Sequence, residues 1–197
     1  MQRELILASA SPQRKQLLAG LNIPFTVCVT GVEDESDHTH ADPAERAQFF
    51  ARLKAERAHT VHPDAWIIGC DTLVTAADAT LLEKPGSAEG ARAMIRLQSG
   101  RTSTVYSGLC VLDPQGEARE GMSLSSVMFK RLSPAEIDWW ISTRLWEGRS
   151  GSFQIDGPGQ LMIERIEGDW AGIVGLPVFL LGELMKQAGW DPLIRVA

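Results

Sequence analysis

LILASASPQRKQLL, residues Leu5–Leu18, is the stretch whose reading decides the fold. Leu5–Ala8 is an unbroken apolar run, the pattern of a strand buried on both faces. Ser11-Pro12 then opens a helix, with Ser11 as N-cap and Pro12 in the first turn. Leu17, Leu18 and Leu21 fall on one face of that helix. A doubly buried strand running into an amphipathic helix is the start of an α/β fold.

The same alternation continues along the chain. Phe25–Thr30 reads as a second strand, followed by a polar loop from Gly31 to Ala41. Asp42-Pro43-Ala44-Glu45 has the form of a capping box, and its helix is expected to run to about His59. Ala65–Cys70 reads as a strand ending at Asp71, with a short hairpin of Leu73–Thr75 and Thr80–Glu83 beyond it. Ala88–Gln98 is helical, with Ala91, Met94 and Ile95 on its buried face. Thr102–Leu112 and Gly121–Phe129 are two longer strands joined by the turn Asp113-Pro114-Gln115-Gly116. Ser133-Pro134-Ala135-Glu136 opens a further helix whose core stripe is Ile137, Trp140 and Ile141. Gly148–Gly159 is too glycine-rich for regular structure. Leu161–Ile166 reads as a strand and Val178–Ala188 as a closing helix.

The 197 residues, 44% hydrophobic and 22% charged, suit one domain or two small lobes sharing a core. With 19 Lys+Arg against 25 Asp+Glu the net charge is −6, which argues against a basic nucleic-acid binder. The most apolar stretch, Val174–Met185, is broken by Gly, Pro and Glu, and falls short of the roughly 20 residues that cross a bilayer. The opening MQRELILASAS resembles a signal peptide, but Glu4 and the short patch Leu5–Ala8 do not supply an h-region. Cys28, Cys70 and Cys110 are odd in number and lie in apolar runs, as reduced buried thiols do. A cytoplasmic protein is expected.

Four features carry chemistry. The Ser9–Ser11 turn leads into a helix whose first turn holds Arg14 and Lys15. Helix N-termini present free N–H groups and the positive end of the dipole, so two cations there favour a bound anion such as phosphate. The alternative is two solvated cations. Asp71 follows an apolar run at the place where α/β folds put ligands; it would orient Mg²⁺ or take a proton from water, or simply cap a turn. Glu33-Asp34-Glu35, with Asp37, offers hard oxygens to Mg²⁺ or Mn²⁺, or is a solvated loop. Lys84, held extended by Pro85, either aims its ammonium inward or sits in a surface turn. His38, His40, His59 and His62 lack the cysteine or HExxH context of a zinc site. There is no P-loop, no GxSxG elbow and no GxGxxG after the first strand.

Taken in order, LILASASPQRKQLL, GVEDES, IIGCDT, LEKP, the Ser99–Gly108 segment, GSFQIDGPG and VGLP resemble the Maf family of nucleoside triphosphate pyrophosphatases, from Leu5 to about Lys186. The resemblance implies a single Maf-like domain over residues 1–197. Its fold would be α/β and inosine-triphosphatase-like, a mixed twisted sheet in two lobes with a central cleft. It implies metal-dependent hydrolysis of a nucleoside triphosphate to monophosphate and pyrophosphate, using Mg or Mn, with no nucleic-acid or membrane partner and with dimers common. On the family pattern Asp71 is the catalytic acid/base; Ser9, Ser11, Arg14, Arg57 and Lys84 hold phosphates; Asp71 and Asp34, or Glu35 if the alignment slips by one residue, hold the metal.

Substrate choice within the family tracks positions that correspond here to Gln13, Thr72 and Asp156. The dTTP/UTP branch carries Arg, Thr and Gln there, so Thr72 matches it and Gln13 and Asp156 do not. Asp156 would accept from a base amino or imino group. Arg57 replaces an expected Lys near the end of the second helix, and Ser103 and Ser107 replace a His and a Thr. These departures keep open an altered base preference, with dTTP/UTP or a modified nucleotide as substrate. They also keep open a non-catalytic nucleotide-binding regulator linked to septum formation, and an inherited scaffold with no nucleotide chemistry.

Overall fold

A computed structural model of the chain describes residues 3–32 and 41–190. Six strands form one mixed sheet in the order β2-β1-β3-β4-β5-β6. They are β1 (Leu5–Leu7), β2 (Thr26–Val27), β3 (Trp66–Thr75), β4 (Thr102–Leu112), β5 (Ala118–Phe129) and β6 (Ile163–Glu167). β1 pairs in parallel with both β2 and β3, in the register Leu7↔Val27 and Leu7↔Ile68. β6 runs antiparallel to β5, with a register shift at Met128/Phe129. The helices are α1 (Pro12–Ala19), α2 (Pro43–Val61), α3 (Ala88–Gln98), α4 (Pro134–Ser142), α5 (Trp170–Val174) and α6 (Val178–Gln187). Among the described residues no helix is long and apolar enough to cross a membrane.

The three cap residues stand where the sequence implies, and of the two expected capping boxes the one at Ser133 has both arms while Asp42 supplies one. Ser11 accepts from the Arg14 amide, and Asp42 from the amides of Ala44 and Glu45. Ser133 and Glu136 form both arms of a capping box. Several boundaries differ. Phe25–Thr30 shortens to the two residues Thr26–Val27, because its partner β1 is itself only three residues long and an edge strand cannot outrun the strand it pairs with. β5 begins three residues earlier than expected and β6 two residues later. The glycine-rich segment holds two 3₁₀ turns, Ser150–Ser152 and Pro158–Met162. α5 was not foreseen; the Asp169 carboxylate accepts from the Ala171 amide at its start.

The chain divides into two compact units. Unit 1 comprises residues 1–71, 107–123 and 175–197. It has two apolar clusters. One gathers Leu7, Leu18, Ile68, Cys70, Leu109 and Leu184 with their neighbours. The other gathers Ile6, Ile67, Cys110 and Leu112 with the alanines of α2. Unit 2 comprises residues 72–106 and 124–174, and its single large cluster centres on Phe129, Trp140, Ile95 and Phe153. Cys70 and Cys110 are buried and Cys28 is half-buried, all as free thiols. Burial pushes the Cys110 thiol up to about 12, so it stays protonated.

Candidate functional site

In unit 1, β1 and β3 end their pairing beside the Ser9–Arg14 turn. The Ala8 amide donates to the Ile68 carbonyl at 2.8 Å. Two residues on from the Leu7↔Ile68 pair stand Ser9 and Cys70. Ser9 is buried, and its Oγ accepts from the Ser11 amide at 3.2 Å and from Arg14 Nη1 at 3.1 Å. Arg14 is only 7% exposed. Its Nε donates to the Gly175 carbonyl at 2.8 Å, and the same carbonyl accepts from Cys70 Sγ at 3.0 Å. Gly175 has φ +133°, a conformation open to glycine. One backbone oxygen of the VGLP segment therefore ties the first-turn arginine to the strand carrying Asp71. Ser11 Oγ donates to Gln13 Oε1 at 3.0 Å. Lys15 is exposed.

Asp71 lies inside β3, not at a strand end as the sequence suggested. The polar pair Asp71-Thr72 interrupts the apolar pattern but not the backbone ladder, because Leu73-Val74-Thr75 resume the buried run. Asp71 Oδ1 accepts from Lys54 Nζ at 2.7 Å, with the two side chains 15% and 5% exposed. The placement of Lys54 has a clear cause. Ala47, Ala51, Ala55 and Ala58 form a small-residue stripe on α2. A Cβ at Gly69 would stand 2.1 Å from the Ala51 carbonyl oxygen, and one at Gly108 2.6 Å from that of Ala47. The helix backbone thus rests directly on β3 and β4, and Lys54, on the same stripe, is carried against Asp71.

Sequence reasoning missed Lys54; the residue it named on this helix is Arg57. Arg57 is exposed, one helical step further on. The available signal was the spacing: a lysine at 54 among buried positions 50, 51, 55 and 58 is a cation on an apolar face, which needs a partner.

Thr72, Lys84, Ser103 and Asp156 lie in unit 2. Thr72 is half-buried in β3, and Lys84 is exposed just after buried Leu82, whose amide donates to the Val74 carbonyl. Asp156 accepts at Oδ1 from Arg149 Nη1 at 3.1 Å. The segment around this pair is pinned from several sides. Gly151 donates its amide to the Leu82 carbonyl and accepts from Gln98 Nε2 at 2.7 Å. Trp140 Nε1 donates to the Ser152 carbonyl at 2.8 Å. Gln98 is set in turn by the hydroxyl of fully buried Ser103, which donates to Gln98 Oε1. Ser103 therefore acts on the shape of the 149–159 segment. Ser107 is buried in β4, in unit 1.

Asp34, with the rest of the acidic loop and with His38 and His40, lies outside the described residues. Among the described residues no three His, Cys, Asp or Glu side chains cluster as a metal site.

The unit 1 geometry can hold an anion and move a proton: buried Arg14, two serine hydroxyls and a helix start beside a carboxylate fixed by an ammonium. The chain is similar to known proteins along nearly its whole length. The family model described as Maf-like protein matches residues 4–188. A dTTP/UTP pyrophosphatase of Deinococcus radiodurans is 41% identical over 185 residues, covering 94% of this chain and 93% of the relative. One of Moorella thermoacetica is 38% identical, covering 98% and 99%. Among solved structures, the Ham1 protein of Staphylococcus aureus aligns at TM-score 0.45 and 14% identity, covering 64% of this chain and 72% of that one.

Proposed function

The chain belongs to the Maf family, and from that premise we propose that it hydrolyses the α–β anhydride of a nucleoside triphosphate, releasing monophosphate and pyrophosphate, with dTTP and UTP as substrates. The observation that carries the reading is the Lys54–Asp71 pair at 2.7 Å, next along the strand from Cys70, whose thiol shares the Gly175 carbonyl with Arg14. Lys54 fixes one carboxylate oxygen, and the other takes a proton from water as the water oxygen bonds to the α-phosphorus. The α–β bridging oxygen leaves with the pyrophosphate. Arg14, Ser9 and Ser11 hold phosphate oxygens by charge-assisted hydrogen bonds. Lys84, Arg57, Gln13 and Thr72 are assigned to substrate contact on the family pattern, and Asp156 to the base.

A chain of net charge −6 needs local cations and a metal to accept a polyanion. Mg²⁺ and Mn²⁺ take carboxylate, phosphate and water oxygens, and Asp71 is a donor of that type on a fixed strand, so the residues present fit such an ion. Asp71 and Asp34 would hold it. When bound it supplies charge neutralisation at the phosphates. The same premise supports a cytoplasmic enzyme acting as one functional domain and forming a homodimer. A role in septum formation belongs to the alternative reading, a non-catalytic nucleotide-binding regulator.

The test is a panel of triphosphates with Mg²⁺ or Mn²⁺, read by pyrophosphate release and repeated with metal chelated. Pyrophosphate from UTP or dTTP, lost on chelation, is expected. Tight nucleotide binding without any product would favour the regulatory reading instead.

A further inference from the structure

Among the ion pairs of this chain, Arg149–Asp156 is unusual for a loop. Its side chains are 18% and 20% exposed, whereas Arg52–Glu56 is 51% and 48% exposed and Arg165–Glu167 is 67% and 62%. Asp156 as a residue is open to solvent, yet its carboxylate is turned toward the guanidinium. Holding a half-dry pair on an irregular segment requires the segment to be stiff, and it is. Gly151 and Ser152 both have positive φ, +71° and +59°. Gln154 is buried, and Gln98 and Trp140 bond to the Gly151 and Ser152 carbonyls. Strained, over-determined backbone of this kind is what presents functional groups in fixed positions.

We propose that Arg149 is a specificity-determining residue, and that Arg149 and Asp156 together form one donor–acceptor edge that reads the lactam face of a base, an imino N–H beside a carbonyl. This rests on the functional reading above, in which Asp156 faces the base. The hydrogen bond between them uses one of the five guanidinium N–H groups and one carboxylate oxygen. The free carboxylate oxygen accepts from N3–H of uracil or thymine, and a free guanidinium N–H donates to O4. Cytosine presents the reverse pattern, an acceptor at N3 and an amino donor at C4. It sets lone pair against carboxylate and donor against donor. The pair thus offers from two charged side chains the acceptor and donor that a single neutral glutamine offers from one.

The experiment compares kcat/KM for UTP and CTP, which differ only on that edge, in four proteins: wild type, Arg149→Ala, Asp156→Gln and the double variant. Wild type is expected to favour UTP by about 10–100-fold, the scale of one or two charge-assisted hydrogen bonds. Arg149→Ala lowers that ratio about tenfold by removing the donor. Asp156→Gln in the Arg149→Ala background restores it, because the amide carries both groups. If the pair only braces the loop, Arg149→Ala lowers Tm and slows both nucleotides alike; an unmoved ratio, or no rescue by the double variant, overturns the proposal. If wild type releases no pyrophosphate from any triphosphate, the functional reading falls and takes this proposal with it. If wild type is active and only the ratio fails to respond, the proposal falls alone.

Discussion

Asp71 and Asp156 are each paired with a cation, and the two pairs differ in what holds them. Lys54–Asp71 in unit 1 joins a helix to a strand that meet backbone to backbone, at 2.7 Å, with side chains 5% and 15% exposed. Arg149–Asp156 in unit 2 joins two ends of a glycine-rich segment at 3.1 Å and is wetter. The first is set by regular structure and cannot move without moving the core. The second is set by a loop braced through Gln98 and Trp140. Chemistry common to a family belongs on the first kind of support, and substrate choice, which must drift, belongs on the second.

The contrast breaks most readily at the two carboxylates. Asp71→Asn is expected to lower kcat by about 10³-fold while the fold is retained, the scale of a lost general base in a charged site. Asp156→Asn should leave kcat for its best substrate within about tenfold and alter base preference instead, since it touches binding and not proton transfer. Steady-state kinetics on both variants, with circular dichroism to confirm folding, decides this; equal losses would erase the distinction.

The two cations sharpen it in stability. Lys54→Ala removes a buried ammonium and leaves a carboxylate only 15% exposed without its cation, and should cost about 3 kcal/mol. Arg149→Ala removes a partly solvated partner and should cost about 1 kcal/mol. Urea unfolding curves give both numbers, and a cost at Arg149 equal to that at Lys54 would show the loop pair to be structural.

Glycines give a smaller contrast of the same sign. A Cβ at Gly69 meets backbone 2.1 Å away, so Gly69→Ala must push α2 off the sheet, at about 1–3 kcal/mol, and carry Lys54 away from Asp71. At Gly157 the obstacle is the Gln154 side chain, which can turn aside. Gly157→Ala should therefore cost less than Gly69→Ala in thermal unfolding, with kcat held.

The smallest effect is a surface one in unit 2. The Lys130 ammonium, together with the Ser133 amide and hydroxyl, holds the Glu136 carboxyl down to about 2 from an ordinary 4.5. A carboxylate with a lowered folded-state pKa stabilises the fold above its unfolded value and loses that contribution as pH falls toward the folded value. The Tm difference between wild type and Glu136→Gln should thus be present at pH 6 and shrink between pH 4.5 and about 2. A difference that grows on acidification would contradict the capping-box account.

The starts of α1, α2 and α4 were legible because each is written locally as a cap followed by proline. Strand lengths were not, because pairing sets them. Phe25–Thr30 has the composition of a longer strand, but only a three-residue partner lies beside it. Asp71 looked like a strand end because hydropathy stops there, whereas the ladder continues through Thr75. α5 contains Gly172 and two β-branched residues and is a poor helix by propensity; the cap at Asp169, itself bonded to Ser125, is what starts it. The turn that brings Ser9, Ser11 and Arg14 together was readable from its cap-and-proline motif. Lys54 was hidden by its chemistry, since a lysine on a helix is ordinarily solvated, and only the alanines around it mark its face as buried. Arg149 was hidden because an ion pair across seven residues of irregular chain has no periodicity to announce it.

The central claim is that unit 1 directs water at the α-phosphorus with Asp71 as base. Hydrolysis of UTP in oxygen-18 water, with products resolved by phosphorus NMR, tests it most directly. The account predicts the label in UMP alone, unlabelled pyrophosphate as the other product, and loss of both in Asp71→Asn. Label in pyrophosphate, or orthophosphate as the leaving product, would contradict it.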